Sequence, residues 1–194
     1  MSNPPAPPTA SSAFGSVILG AEAVLGLLAW ILGWGSGIDW AAMIHPTIEG
    51  IGLGVFGGLG LVTVHLVLVL PGGPQNPLYR RIYVPLRHML RPWVRSTSVV
   101  VIVGVALASG IAEELLFRGW LQTQTNVVVA SFFFGAAHLW GRGALPYGAY
   151  ATLMGFGLGG LFAYTGSHLW APILAHVLNN LLGLLALRYG WTPM

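Results

Sequence analysis

Residues 97–122 read TSVVVIVGVALASGIAEELLFRGWLQ, and the meaning of this stretch decides the fold. Sixteen uncharged residues, Thr97 to Ala112, lead into three charged ones, Glu113, Glu114 and Arg118. An apolar run of this kind reads as a membrane-spanning helix, because about 20 mostly apolar residues cross a hydrocarbon core. An ionisable group at that depth costs at least ~2.5–3.5 kcal/mol on insertion scales. Three together are therefore not incidental. Glu114 and Arg118 are four apart, share a helix face and can pair. Glu113 is turned by about 100° from Glu114 and is left to face something else.

The rest of the chain supports a membrane protein. Of 194 residues, 55% are hydrophobic and only 7% are charged, with a mean hydropathy of +0.75. Soluble domains carry roughly 25% charged residues, so this composition cannot cover a soluble surface. All eight basic residues are arginines, and the net charge is +3. That excess is too small and too clustered for a nucleic-acid partner and reads instead as a topology signal. The absence of cysteine excludes disulfides, a thiolate zinc site and a cysteine nucleophile. Lysine-free, Arg/Gly/Ala-rich usage points to a bacterial source and hence to an inner-membrane location.

The expected organisation is all-α: a polytopic transmembrane bundle of about six helices with one amphipathic interfacial segment. Residues 1–12, MSNPPAPPTASS, read as a disordered tail. Residues 13–95 hold two spans, about Phe14–Trp34 and Ile48–Leu70, separated by a loop at 36–46. They end in LYRRIYVPLRHMLRPWVR (78–95), whose apolar residues recur at helical spacing with arginines largely opposite. That segment is expected to lie in the headgroup region, bent at Pro85 and Pro92. Residues 96–190 hold four more spans, about 97–122, 126–140, 147–164 and 169–187. With six spans, Arg80, Arg81, Arg87, Arg91, Arg95, Arg142 and Arg188 all fall on one side. The positive-inside rule makes that side cytoplasmic, together with both termini.

Few polar groups in the later spans could meet Glu113. His138 closes the run FFFGAAH, and HVLNN places His176 and Asn180 four apart on one face. Imidazoles in apolar helices face the bundle interior. One carboxylate, two imidazoles and one amide could thus converge on a buried point. A carboxylate and a histidine can take a proton from water, while a second histidine and an asparagine donate to an oxyanion. Two histidines and a glutamate are equally a ligand set for catalytic zinc with an open water position. Both routes lead to amide hydrolysis by activated water, with or without Zn2+.

In order along the chain, EELLFR fits E-E-x-x-x-R, FGAAH fits F-x-x-x-H and HVLNN fits H-x-x-x-N. This ordered set, over roughly residues 97–188, resembles the CPBP family of intramembrane proteases. That family includes the type II CAAX prenyl endopeptidases and the Abi proteins linked to bacteriocin self-immunity. The resemblance implies that Glu113 activates water and that His138 assists it or binds a metal. It implies that His176 and Asn180 stabilise the oxyanion, or that His176 is a further metal ligand, with Glu114 and Arg118 bracing the site. It also implies a peptide or membrane-protein substrate within the bilayer, and an opening towards the cytosol. The arginine bias pulls the other way, setting Glu113 about 24 Å from the cytoplasmic end of its helix. A non-catalytic immunity or scaffold protein of the same fold is the alternative function. A transporter using Glu and His as a proton relay is disfavoured, since no internal repeat is present.

Overall fold

The computed structural model describes residues 9–69, 71–139 and 144–190. Every regular element among them is helical. In chain order these are α1 (Thr9–Gly35), α2 (Trp40–Met43), α3 (Ile48–Val69), α4 (Val84–Ser96), α5 (Val99–Glu114), α6 (Val127–Ala137), α7 (Leu145–Tyr164) and α8 (Trp170–Tyr189). A π-helical turn, Tyr79–Tyr83, leads into α4, and a longer π-helical segment, Leu115–Gln122, continues α5. Four stretches are long and apolar enough to cross a membrane: Gly15–Gly35, Ile48–Leu68, Val99–Gln122 and Trp170–Tyr189. The other two expected spans correspond to α6, with 11 residues, and α7, with 20.

Local sequence explains the boundaries. Ser98 caps α5 by accepting from the Val101 amide at 3.3 Å, and Asn126 caps α6 by accepting from the Val128 and Val129 amides at 3.0 Å. Gly190 ends α8 in the left-handed region at φ 71°. The expected loop at 36–46 is interrupted by α2, capped by Asp39. Its Trp40 is buried and stacks on Trp30 at 5.5 Å. The aromatic ring gains more from that apolar niche than the loop would from staying extended. The tail expected over 1–12 overlaps α1, which begins at Thr9; residues 1–8, like Trp140, Arg142 and Trp191, lie outside the described residues.

Helix directions follow from close contacts. Gly54 and Gly58 of α3 abut Ala171 and Ala175 of α8, so these two helices run parallel; a Cβ at Gly58 would lie 3.1 Å from the Ala175 carbonyl. Small residues there let two backbones approach with no side chain between them. Gly26 of α1 faces Ala112 of α5, and Gly15 faces Val101, so α1 and α5 are also parallel. Across α5 and α8, Ser109 meets Asn180 and Glu114 meets His176, which makes that pair antiparallel. Gly135 against Gly148, and Ser131 against Gly155, make α6 and α7 an antiparallel hairpin. Thus α1, α5 and α7 point one way, and α3, α6 and α8 the other.

The segment from Tyr79 to Ser96 closes one end of the bundle. Tyr79, Tyr83 and Val94 pack with Ile102 and Leu187 in one buried cluster. Arg188, in the last turn of α8, donates to the carbonyls of Val94 at 3.0 Å and Arg95 at 3.2 Å, and also to that of Thr97. Arg80, Arg81, Arg87, Arg91, Arg95 and Arg188 therefore share one end. Asp39 and Glu49 sit at the other, beside the start of α3.

Candidate active site

The site forms where α5 passes into its π-helical continuation. Glu114 and Arg118 are sealed, at 0% and 1% exposure, and the Arg118 Nη1 donates to Glu114 Oε1 at 2.7 Å. The second guanidinium nitrogen donates to the Gly155 carbonyl of α7 at 3.1 Å. The guanidinium also lies 4.4 Å from the Phe134 ring centroid of α6. One charged group thereby joins three helices. A buried pair of this kind is tolerated because each partner meets the other and the guanidinium makes a further hydrogen bond to Gly155.

His176 of α8 completes this cluster. Its Nδ1 lies 2.7 Å from Glu114 Oε1, the oxygen that Arg118 already engages. A carboxylate on Nδ1 keeps the proton there and fixes the ring's tautomer and orientation. Asn180, one turn on, donates to Ser109 Oγ of α5 at 3.0 Å, which fixes its amide beside the same seam.

Glu113 faces a different helix. Its side chain keeps 14% exposure, and its Oε2 lies 3.8 Å from His138 Nε2. That oxygen is buried and accepts no hydrogen bond. His138 is the C-cap residue of α6, and its Nδ1 lies 2.7 Å from the Phe134 carbonyl. A carbonyl can only accept, so Nδ1 carries the proton and Nε2 of the neutral ring is an acceptor. Two acceptors thus face each other across 3.8 Å.

Phe134 is the floor of this arrangement. Its ring is buried and stands 4.7 Å from the His138 ring, 5.6 Å from His176 and 5.2 Å from Phe117. The F-x-x-x-H spacing therefore has two physical uses: the phenylalanine carbonyl fixes the histidine tautomer, and its ring separates the two imidazoles.

The structure brings the sequence-derived residues together in two subsets. Glu113 is opposite His138, while Glu114, Arg118 and His176 form a hydrogen-bonded chain, with Asn180 bonded to Ser109. His176 still lies within electrostatic reach of Glu113. The proposed zinc ligands Glu113, His138 and His176 do not form a three-donor cluster, and among the described residues no group of three His, Cys, Asp or Glu is placed to hold a metal ion. The physical reason is that the His176 nitrogen nearest a carboxylate is directed to Glu114 and not to Glu113.

Two neighbours were not singled out by motif. Glu22 of α1 lies within electrostatic reach of Glu113 and His176, with its Oε2 buried and unpartnered. Its signal in the sequence is that it is the one charge in the first apolar run. Tyr147 of α7 lies within electrostatic reach of Glu113, and its ring is 5.8 Å from that of His138. Tyr147 stacks with Tyr150, whose hydroxyl lies 3.2 Å from His65 Nδ1. Nothing in the spacing of Tyr147 marks it, because its proximity comes from the α6–α7 hairpin.

Residues 95–182 match the family described as type II CAAX prenyl endopeptidase Rce1-like. Glu113, Glu114, Arg118, His138, His176 and Asn180 all fall in that range. The chain is also similar to an uncharacterised protein, YpbD, of Bacillus subtilis (strain 168), with 35% identity over 79 residues. That stretch covers 41% of this chain and 41% of YpbD, so the match spans less than half of either protein. No solved structure matches the chain.

Proposed function

We propose that this chain, whose residues 95–182 form an Rce1-like type II CAAX prenyl endopeptidase (CPBP) family domain, is an intramembrane endopeptidase that hydrolyses a peptide bond with water activated by Glu113. The observation that carries this reading is the buried, unpartnered Glu113 Oε2 facing His138 Nε2 at 3.8 Å. It stands beside a second glutamate already occupied by Arg118 and His176. Of two adjacent carboxylates, Glu114 is held at Oε1 by both Arg118 and His176, whereas Glu113 faces His138 and can receive a proton.

In this reading a water donates to Glu113 and His138. Glu113 takes one proton as the water oxygen attacks the scissile carbonyl carbon. The negative charge that develops on the carbonyl oxygen is met by N–H donors from His176 Nε2, in its protonated form, and from the Asn180 amide. The C–N bond then breaks, and the proton held by Glu113 passes to the leaving amine, directly or through His138. Water and an amide are consumed, and a carboxylic acid and an amine are released. No serine or cysteine enters the reaction, and no step runs through a metal, which the donor arrangement does not favour.

The alternating directions of α1, α3, α5, α6, α7 and α8 support six crossings, with the arginine-rich end in the cytoplasm of a bacterial cell. Substrate approach from that same end is supported by the shortness of α6. Its 11 residues rise about 16 Å, so His138 caps it at mid-depth. Helix α6 itself thus stops short of the arginine-rich end, which α5 reaches about 21 Å beyond Glu113, while α7, whose Tyr150 meets His65 of α3, continues towards it. The cytosolic opening and the depth of Glu113 are then compatible. The substrate class is a membrane-embedded peptide or protein segment. The experiment is incubation of the detergent-purified chain with a quenched peptide library, with scissile bonds located by mass spectrometry. Cleavage at discrete bonds is expected; a folded protein inert on every peptide would contradict the reading.

A further inference from the structure

The strongest concentration of charge in the molecule lies outside the site. A groove of about 480 Å³ runs along the interfacial segment and is lined by Arg80, Arg87, Arg91, Arg95, His88 and Tyr79, among others. No Asp or Glu occurs between residues 50 and 112. Among the described residues, the ion pairs involve only Glu113 and Glu114, so none neutralises these four guanidinium groups. Arg91 is partly buried, and its Nε is enclosed without a hydrogen-bond partner. A shaped concavity with four uncompensated guanidinium groups calls for an anion with several acceptor oxygens.

We propose that this groove binds the phosphate of an anionic phospholipid headgroup. Guanidinium forks match phosphate oxygens in pairs, and they hold that geometry at an interface better than ammonium groups do. The groove's arginines lie on the polar side of an amphipathic helix, while Tyr79 and Val84 in its lining belong to the cluster that packs on the bundle, which sets the groove at headgroup depth. A basic cluster at such a position attracts anionic lipid. A headgroup there would also reinforce the bundle. Arg91 Nη2 abuts Gly190 at the end of α8, where an added Cβ would lie 3.2 Å away, and Arg188 ties α8 to the end of α4. The same α8 carries His176 and Asn180. This inference does not depend on the protease reading.

The test is thermal unfolding of the full chain in a zwitterionic detergent, titrated with dioctanoyl phosphatidylglycerol, dioctanoyl phosphatidylcholine or inorganic phosphate. A ligand that binds only the folded state raises the midpoint in a saturable way. Phosphatidylglycerol is expected to do so, and phosphatidylcholine is not. The double variant R87Q/R91Q is expected to weaken half-saturation about tenfold or more. R81Q, which removes an exposed arginine outside the groove, is expected to leave it unchanged. If R87Q/R91Q does not fold, R80Q/R95Q takes its place. An equal response to inorganic phosphate would overturn the lipid assignment and leave a free-phosphate site. Loss of the response in R81Q to the same degree, or no response in the wild type, would overturn the groove itself.

Discussion

His176 Nδ1 and Arg118 Nη1 each lie 2.7 Å from one oxygen, Oε1 of Glu114. That double engagement spans α5 and α8 and ties Glu114 into the helix packing, although it is adjacent to Glu113 and chemically identical to it. It also explains why two carboxylates can be buried side by side. One is neutralised in place by an arginine, and the other keeps partial exposure at the His138 side.

Removing Glu114 should therefore cost stability first. Glu114→Ala leaves the guanidinium of Arg118 buried without its partner, and a loss of about 3–5 kcal/mol is expected. The double variant Glu114→Leu/Arg118→Met should recover most of that loss, since no uncompensated charge remains. Chemical unfolding in detergent reads both. Equal stability of Glu114→Ala and wild type would show that Arg118 is not held as described.

Phe134 should matter beyond its volume. Phe134→Ala removes the ring that contacts Arg118, His138 and His176, and a cost of about 3–5 kcal/mol is expected for a buried phenylalanine. Phe134→Leu fills most of the space but withdraws the aromatic face. It should keep most of the stability and still lower peptide turnover, because both imidazoles lose their common support. Unfolding midpoints and cleavage rates measured on the same preparations separate the two effects.

Metal removal should have no effect on rate. With His176 Nδ1 directed to Glu114, the donor groups do not assemble as a three-ligand centre. Cleavage after exhaustive treatment with a chelator such as phenanthroline is expected to match the untreated enzyme. Loss of activity that returns on adding zinc would instead require His138, Glu113 and His176 to rearrange around an ion.

Orientation in the bilayer can be read without removing native thiols, because the chain has no cysteine. Single variants Glu49→Cys and Arg81→Cys lie at opposite ends of the bundle. In whole bacterial cells, an impermeant maleimide is expected to label Glu49→Cys directly and Arg81→Cys only after permeabilisation. The reverse pattern would invert the topology.

Much of the fold is legible in the sequence for a simple reason: in a membrane, apolar length is a direct readout of helix position. The expected span at 97–122 is observed as Val99–Gln122, and that at 169–187 as Trp170–Tyr189. The Glu114–Arg118 pair is equally readable, since i,i+4 neighbours are set by local geometry alone. The partner of His176 is not. Which glutamate a histidine meets depends on how α8 rotates against α5, and that rotation is set by Gly110 lying against Val177, a contact with no spacing rule. Glu22 stands out as the one charge in its apolar run, but neither it nor Tyr147 is marked by spacing as a neighbour of Glu113. Their approach to Glu113 is a property of packing between helices.

The central claim is that Glu113 is the base, and one substitution isolates it. Glu113→Gln keeps the size and hydrogen-bonding capacity of the side chain but cannot accept the proton of water. Its cleavage rate on a peptide cut by the wild type is expected to fall by about 10²–10⁴-fold. Its unfolding midpoint should stay close to that of the wild type, since Glu113 is outside the Glu114–Arg118–His176 chain. A Glu113→Gln enzyme that folds normally and cleaves at the wild-type rate would contradict the assignment outright.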